Sequence, residues 1–154
     1  MRTLVVFSAL SLALLFFVAC TKSGSPSCTD ESVKKLVLDI SAVEFRNQLT
    51  SLACGNSGRH HLAGFSYDSL NDLKNNKGNE YIKEIISAVD KQFAEAKMSL
   101  ANIRVNGKRD DIKKCECGGD LALSDGKTHP ITYTAQFTED GKVHVEVAGL
   151  KQRR

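Results

Sequence analysis

Apolar residues recur at helical spacing in the first half of the chain. The earliest such run has them three and four positions apart: Val33, Leu36, Val37 and Ile40. This period is typical of an amphipathic α-helix. Ser27 and Asp30 precede the run with the spacing of a capping box, which favours a helix start there. The stripe drifts after Ser41, and we expect the helix to end near Cys54-Gly55. Four apolar residues extend the stripe over this part: Val43, Phe45, Leu49 and Leu52.

A second apolar stripe follows Asn79, a residue that is favoured as a helix N-cap. Its members again lie at helical spacing: Ile82, Ile85, Ile86, Val89, Phe93 and Ala96. A stripe of this kind is the core-facing side of a helix, so we assign it to the core and not to a cofactor site. The segment between the two helices has little periodicity. It begins with a loop at 55–58, and a short helix is expected around 69–74.

Beyond Lys97 the pattern changes from helical to alternating. Asn106-Gly107 predicts a hairpin turn after the first strand, because both residues tolerate positive φ. The next strand has small or apolar residues at its odd positions: Cys115, Cys117, Gly119, Leu121 and Leu123. Gly118-Gly119 suggests a bulge in it. Two more alternating strands, at 131–137 and 143–147, follow turns at Asp125-Gly126 and 139–141. Such alternation predicts a sheet with one buried and one wet face.

Together these elements predict a single α+β domain over 28–150, followed by a basic tail at 151–154. Two main helices are expected to pack on one face of a four-stranded antiparallel meander. The order of helices and sheet loosely resembles cystatin-like domains, a likeness of architecture that implies nothing about function. The other face of the sheet would offer polar side chains to a partner: Thr132, Thr134, Gln136, Thr138, His144 and Glu146.

The chain opens with Met1-Arg2 and continues with an apolar run from Leu4 to Ala19. A basic start, an apolar centre and small residues at the end are the features of a secretory signal. The run is shorter than the roughly 20 residues of a membrane-spanning helix. It ends in Phe17-Val18-Ala19-Cys20, which resembles the lipobox of bacterial lipoproteins. Phe17 stands where that family prefers Leu.

The resemblance implies that residues 1–19 are a cleaved signal peptide and that Cys20 carries fatty acids such as palmitate. Two or three acyl chains anchor a protein stably in a membrane. The polar segment 20–27, which contains Ser, Gly and Pro, would be a flexible tether. Thr21 stands where Asp favours inner-membrane retention in the family. We therefore expect an outer-membrane anchor facing the periplasm rather than one in the cytoplasmic membrane.

The charge of the chain indicates no particular partner. The formal net charge is only +3 over 154 residues, and basic residues such as Lys108 and Arg109 stand beside Asp110 and Asp111. So weak and mixed a charge does not suit a nucleic-acid-binding surface. The partners expected from the sequence are therefore the membrane, through the lipid, and a protein of the envelope.

Four cysteines remain when the expected lipid site is set aside: Cys28, Cys54, Cys115 and Cys117. An even number in an oxidising compartment favours two disulfides. A bond between Cys115 and Cys117 would close a very tight ring. Both are therefore expected to pair with the helical half, at Cys28 and Cys54, and the pattern leaves open which joins which.

A metal site and an active site both lack support in the sequence. Cys115-Glu116-Cys117 does not have the Cys-x-x-Cys spacing of common zinc sites. The adjacent pair His60-His61, in a loop close to Cys54, is the one candidate loop site for function. No nucleophile, phosphate-loop or zinc-protease motif is present. We therefore expect no cofactor, no metal and no catalytic residue.

The function that these observations favour is a non-catalytic binding domain held on the cell envelope by a lipid. It would protect, inhibit or exclude, as immunity proteins and inhibitors do. Two alternatives remain: a structural accessory of an envelope or secretion complex, and a carrier of a small apolar ligand between the helices and the sheet.

Overall fold

The computed structural model describes residues 24–77 and 79–151. The predicted leader, the lipobox with Cys20 and the last three residues lie outside this part. Three α-helices come first: α1 (Glu31–Asn56), α2 (Tyr67–Lys77) and α3 (Glu80–Ala96), with a 3-10 turn at His60–Leu62 between α1 and α2. Four strands follow: β1 (Ser99–Arg109), β2 (Lys114–Ala122), β3 (Thr128–Phe137) and β4 (Val143–Ala148). Within these residues, no helix is both long and apolar enough to cross a membrane.

The strands form one sheet in the order β1-β2-β3-β4, with every neighbouring pair antiparallel. This confirms the predicted α+β class and the meander. The alternation in β2 and β3 is also confirmed, because Cys115, Cys117 and Leu121 are buried together with Ile131 and Tyr133. These side chains pack against α1 in one hydrophobic cluster.

The predicted turn at Asn106-Gly107 is wrong. Both residues lie inside β1, and the chain turns at 110–113, where Lys113 adopts a φ of 51°. The register of β1 against β2 shifts between Val105 and Gly107. Ending the strand at Asn106 would leave the pairing of Lys108 with Cys115 unmade. The additional β1–β2 pairing therefore outweighs the local turn preference, and a bulge between Val105 and Gly107 accommodates the register shift.

The suggested bulge at Gly118-Gly119 lies instead in the strand opposite these glycines. Strand β2 pairs with β3 without interruption, whereas β1 has a register shift between Ala101 and Arg104. A Cβ on Gly118 would come within 2.9 Å of the Nε of Arg104. The absence of a side chain at Gly118 therefore leaves room for the side chain of Arg104, which lies over it from the bulged strand β1.

Helix α1 connects two separate hydrophobic clusters. Its first half, through Val33 and Val37, packs on the sheet in what we call the sheet cluster. Around its last turns, Cys54 joins residues of α2 and α3, among them Leu70 and Ile86, in a second cluster that we call the helical cluster. A straight helical stripe cannot face both, so Val43 and Leu52, expected on the apolar side, are each 56% exposed.

Residues just before Cys28 already contact the domain. Pro26 is fully buried, and the Ser25 backbone N–H donates to the carboxylate of Asp110 at 3.1 Å. The Ser25 hydroxyl donates to the same carboxylate. These hydrogen bonds hold the pKa of Asp110 below its usual range. Residues 24–27, which the sequence assigned to a flexible tether, therefore form an N-terminal arm on the surface of the domain.

Candidate functional site

Three sulfur atoms meet beneath the N-terminal arm. Strand β2 places Cys115 and Cys117 on its buried side, because residues two apart on a strand share a face. Cys28, just before α1, is bonded to Cys117 in a disulfide. The sulfur of Cys115 is a free thiol that lies 3.0 Å from the Cys28 sulfur and 3.8 Å from the Cys117 sulfur. All three residues are at most 2% exposed.

Neighbouring groups hold Cys28 above β2. The hydroxyl of Tyr133 donates to the Cys28 carbonyl at 2.9 Å. The Cys28 sulfur also lies 3.9 Å from the carbonyl oxygen of Glu116, the residue between the two cysteines of β2. Burial raises the pKa of the Cys115 thiol, although the Cys28 backbone and Lys108 oppose this. We call Cys28, Cys115 and Cys117 the sulfur cluster.

The expectation of two disulfides that join both cysteines of β2 to the helical half is not met. Cys54 is a buried free thiol in the helical cluster. Helix α1 is continuous, so Cys54 stands roughly 35 Å along its axis from the first turn. Cys115 and Cys117 are only two residues apart, and two such distant cysteines cannot both reach them. Burial raises the pKa of the Cys54 thiol.

The sulfur cluster is also the only group of three or more metal-ligand side chains among residues 24–77 and 79–151, with ligand atoms within 4.8 Å of one another. Three thiolates suit soft ions such as Zn²⁺ or Cu(I). The disulfide occupies two of these sulfurs, so bond and metal exclude each other. His60 and His61 are both exposed on the 3-10 turn, and the structure does not bring them to this cluster.

A pocket of about 160 Å³ opens between α1 and the end of the sheet where β3 begins. Its apolar walls come from α1, from β2 and from residues just before β1 or just after β2 and β4: Phe45, Leu121, Met98, Leu123 and Leu150. Ser41 of α1 lines it too. Ser41 is 1% exposed, and its hydroxyl has no hydrogen-bond partner among the described residues.

Polar side chains at the pocket tie the C-terminal segment to the domain. Gln48 donates through Nε2 to the carbonyl of Leu150 at 2.8 Å. His129 bonds through Nε2 to the carbonyl of Gly149 at 2.6 Å. Glu44 and Lys127 also line the pocket, so it carries both signs of charge.

The sequence suggested a ligand site between the helices and the sheet but did not identify the residues that line this pocket. Ser41 stands out only as the point where the first stripe drifts, and no local pattern singles out His129. A serine at a helical position in line with Val33 and Val37 is a usable signal, because a buried hydroxyl needs a partner. The other walls come from segments far apart in the chain, and no local pattern joins them.

The polar face of the sheet is where the sequence placed it. Thr134 pairs across the strands with Glu146, and Gln136 with His144, so these side chains share the face away from α1. Thr132, His144 and Glu146 are exposed. Thr138 follows β3 in the exposed turn. Gln136 is partly engaged, because its amide donates to the carbonyl of Ile112 at 3.1 Å.

Comparisons with protein-family models, curated proteins and solved structures found no match for this chain. The cystatin-like likeness therefore stays a prediction.

Proposed function

We propose that this chain is a non-catalytic binding protein of the cell envelope, anchored by a lipid on Cys20, and that it takes up a small, mainly apolar molecule in the pocket beside Ser41. The observation that carries the proposal is the Ser41 hydroxyl. A buried hydroxyl without a hydrogen-bond partner costs about 1–3 kcal/mol. The hydroxyl oxygen is closed to solvent in this structure, so a ligand in the apolar pocket would recover that cost once the Ser41 side chain turns toward it.

The size of the pocket limits the ligand. A cavity of about 150 Å³, engineered in another protein and lined by apolar side chains, holds one benzene molecule. The pocket here is about 160 Å³, below the range of sites for drug-sized ligands. The expected ligand is therefore a single ring, or a short apolar group of similar size, with one hydrogen-bonding atom for Ser41.

The arrangement of the polar groups supports binding rather than catalysis. A serine nucleophile needs a base within hydrogen-bond reach. Ser41 has no such contact among the described residues. His129, the one histidine of the pocket, uses Nε2 to bond the Gly149 carbonyl.

Phenol and benzene serve as probes that differ by one hydroxyl. We expect the soluble chain from Thr21 to Arg154 to bind phenol more tightly than benzene in an NMR titration. Ser41→Ala should weaken phenol binding about 2- to 10-fold, the value of one hydrogen bond, and leave benzene binding unchanged. Thr50→Val is the control, because this hydroxyl bonds the Arg46 carbonyl outside the pocket. Equal effects of Ser41→Ala on both probes, or no binding of either, would contradict the pocket proposal.

The envelope address rests on the resemblance of Phe17-Val18-Ala19-Cys20 to a lipobox. We expect the protein from its native host to begin at Cys20 and to carry the mass of two or three fatty acids there. Cys20→Ser should abolish the attached fatty acid and leave the leader uncleaved, which the mass of the intact protein would show. A mature protein that begins elsewhere, or lacks fatty acid, would overturn the address and leave the pocket proposal standing.

A second candidate function is the protection or inhibition of an envelope protein through the polar sheet face. The observation that favours it is the place of β4 at the end of the strand order, with Glu146 and His144 exposed among the described residues. An edge strand can pair with a strand of a partner. Native mass spectrometry of the protein extracted from its host separates the two candidates. A bound mass of one small molecule supports the pocket, and a stoichiometric protein partner supports the face.

A further inference from the structure

The free thiol of the sulfur cluster lies in contact with an existing disulfide. Its sulfur is nearer to Cys28, at 3.0 Å, than to Cys117, at 3.8 Å. We propose that the sulfur cluster is an exchangeable disulfide centre, in which Cys28 is bonded to Cys117 in one state and to Cys115 in the other.

The step is a thiol–disulfide exchange within one chain. The thiolate of Cys115 attacks the sulfur of Cys28, a Cys28–Cys115 bond forms, and the Cys28–Cys117 bond breaks. Cys117 leaves as a thiolate and takes up the proton that Cys115 has lost, so no oxidant or reductant is consumed. Attack on Cys117 instead would join two cysteines of one strand in a very tight ring.

The Cys28 sulfur lies close to both cysteines of β2. It is also 3.9 Å from the carbonyl oxygen of Glu116, the residue between them. The hydrogen bond from Tyr133 to the Cys28 carbonyl involves no sulfur, and neither does the bond from Ser25 to Asp110. The exchange therefore breaks neither of these contacts.

One side chain has to rotate before the bond can change. For in-line attack, the Cys115 sulfur would have to lie on the extension of the Cys28–Cys117 bond, one S–S bond length farther from the Cys117 sulfur than from the Cys28 sulfur. The two distances are 3.8 Å and 3.0 Å, so the Cys115 sulfur lies to the side of that line. Burial also raises the pKa of the Cys115 thiol, so little of the reactive thiolate is present at neutral pH. Both features make the exchange slow enough for alkylation to trap each state.

The consequence is that Cys28 can stay bonded to β2 when either Cys115 or Cys117 is lost. Cys28 follows Cys20 by eight residues, so the bond holds the end of the segment that leads to the expected lipid site. The two pairings close loops of 87 and 89 residues. Their effect on the chain is therefore nearly the same.

Peptide mapping tests the centre in the full chain, purified from whole cells of an expression host, membrane and soluble fractions together, and alkylated before digestion. Proteolysis after Glu116 separates Cys115 from Cys117, so the two pairings give different linked peptides. Cys117→Ala should yield the Cys28–Cys115 peptide in most molecules, and Cys115→Ala the Cys28–Cys117 peptide. Cys54→Ala is the matched control and should leave the wild-type pairing unchanged.

Free thiols at Cys28 and Cys115 in folded Cys117→Ala would overturn the proposal. Should that variant fail to fold, the wild type decides. Native protein held at mildly alkaline pH before alkylation should show a Cys28–Cys115 fraction that grows with time. A pairing that stays wholly Cys28–Cys117 under these conditions would overturn it equally. Neither result depends on the pocket or on the lipid, because the Cys20 peptide is read separately.

Discussion

Tyr133→Ala should lower the free energy of unfolding by about 3–5 kcal/mol, the range for the loss of a large buried aromatic side chain. The ring is 2% exposed and lies in the sheet cluster with Cys28 and Val37. Its removal leaves a cavity between β3 and the first half of α1. Urea unfolding of the soluble chain from Thr21 to Arg154, followed by circular dichroism, measures the change.

Two further variants separate packing from hydrogen bonding at this position. Tyr133→Phe keeps the ring but leaves the Cys28 carbonyl without its 2.9 Å donor, which should cost about 1–3 kcal/mol. Phe65→Ala removes an aromatic side chain that is 44% exposed and should change stability by less than about 1 kcal/mol. A Tyr133→Ala variant no less stable than Phe65→Ala would contradict the assignment of Tyr133 to the core.

Cys28→Ala should lower the free energy of unfolding by about 2–5 kcal/mol, because it removes the partner of both possible bridges. The bond between Cys28 and Cys117 spans 89 residues, and opening it frees the unfolded chain. Cys117→Ala should cost clearly less, since a bridge from Cys28 to Cys115 restrains almost the same loop. The same urea titration, without reductant, compares the variants.

The control for this series is reduction. A reductant should lower the stability of the wild type to that of Cys28→Ala and leave Cys28→Ala itself unchanged. Cys115→Ala combined with Cys117→Ala should match Cys28→Ala. Equal losses in the two single variants, Cys28→Ala and Cys117→Ala, would mean that Cys115 does not substitute for Cys117.

Local patterns predicted the elements well where one buried face dominates. The stripe of α3, from Ile82 to Val89, lies in the helical cluster as expected. The strand alternation around Cys115 and Ile131 also matches the buried face of the sheet. Period alone decides these cases, because a side chain's face follows from its position in a helix or strand.

The failures occurred where distant parts of the chain compete with a local preference. Asn106-Gly107 has the residues of a tight turn, but pairing with β2 continues to Arg109. Val43 and Leu52 extend an apolar stripe, but α1 faces the sheet with one half and the other helices with the other. In each case the sum of tertiary contacts exceeds a preference of about 1 kcal/mol or less.

For this protein, the sequence by itself determined the α+β class, the meander and the buried side of each cysteine in β2, because these follow from periodicity. It also contains the lipobox-like segment on which the envelope proposal rests. Only the tertiary structure decided that Cys28 bonds Cys117 while Cys115 lies against the same bond and Cys54 stands far away. The pocket at Ser41 likewise required the fold. Both sites depend on distances between segments that the chain brings together only when α1 lies on the sheet, and no local spacing encodes such distances.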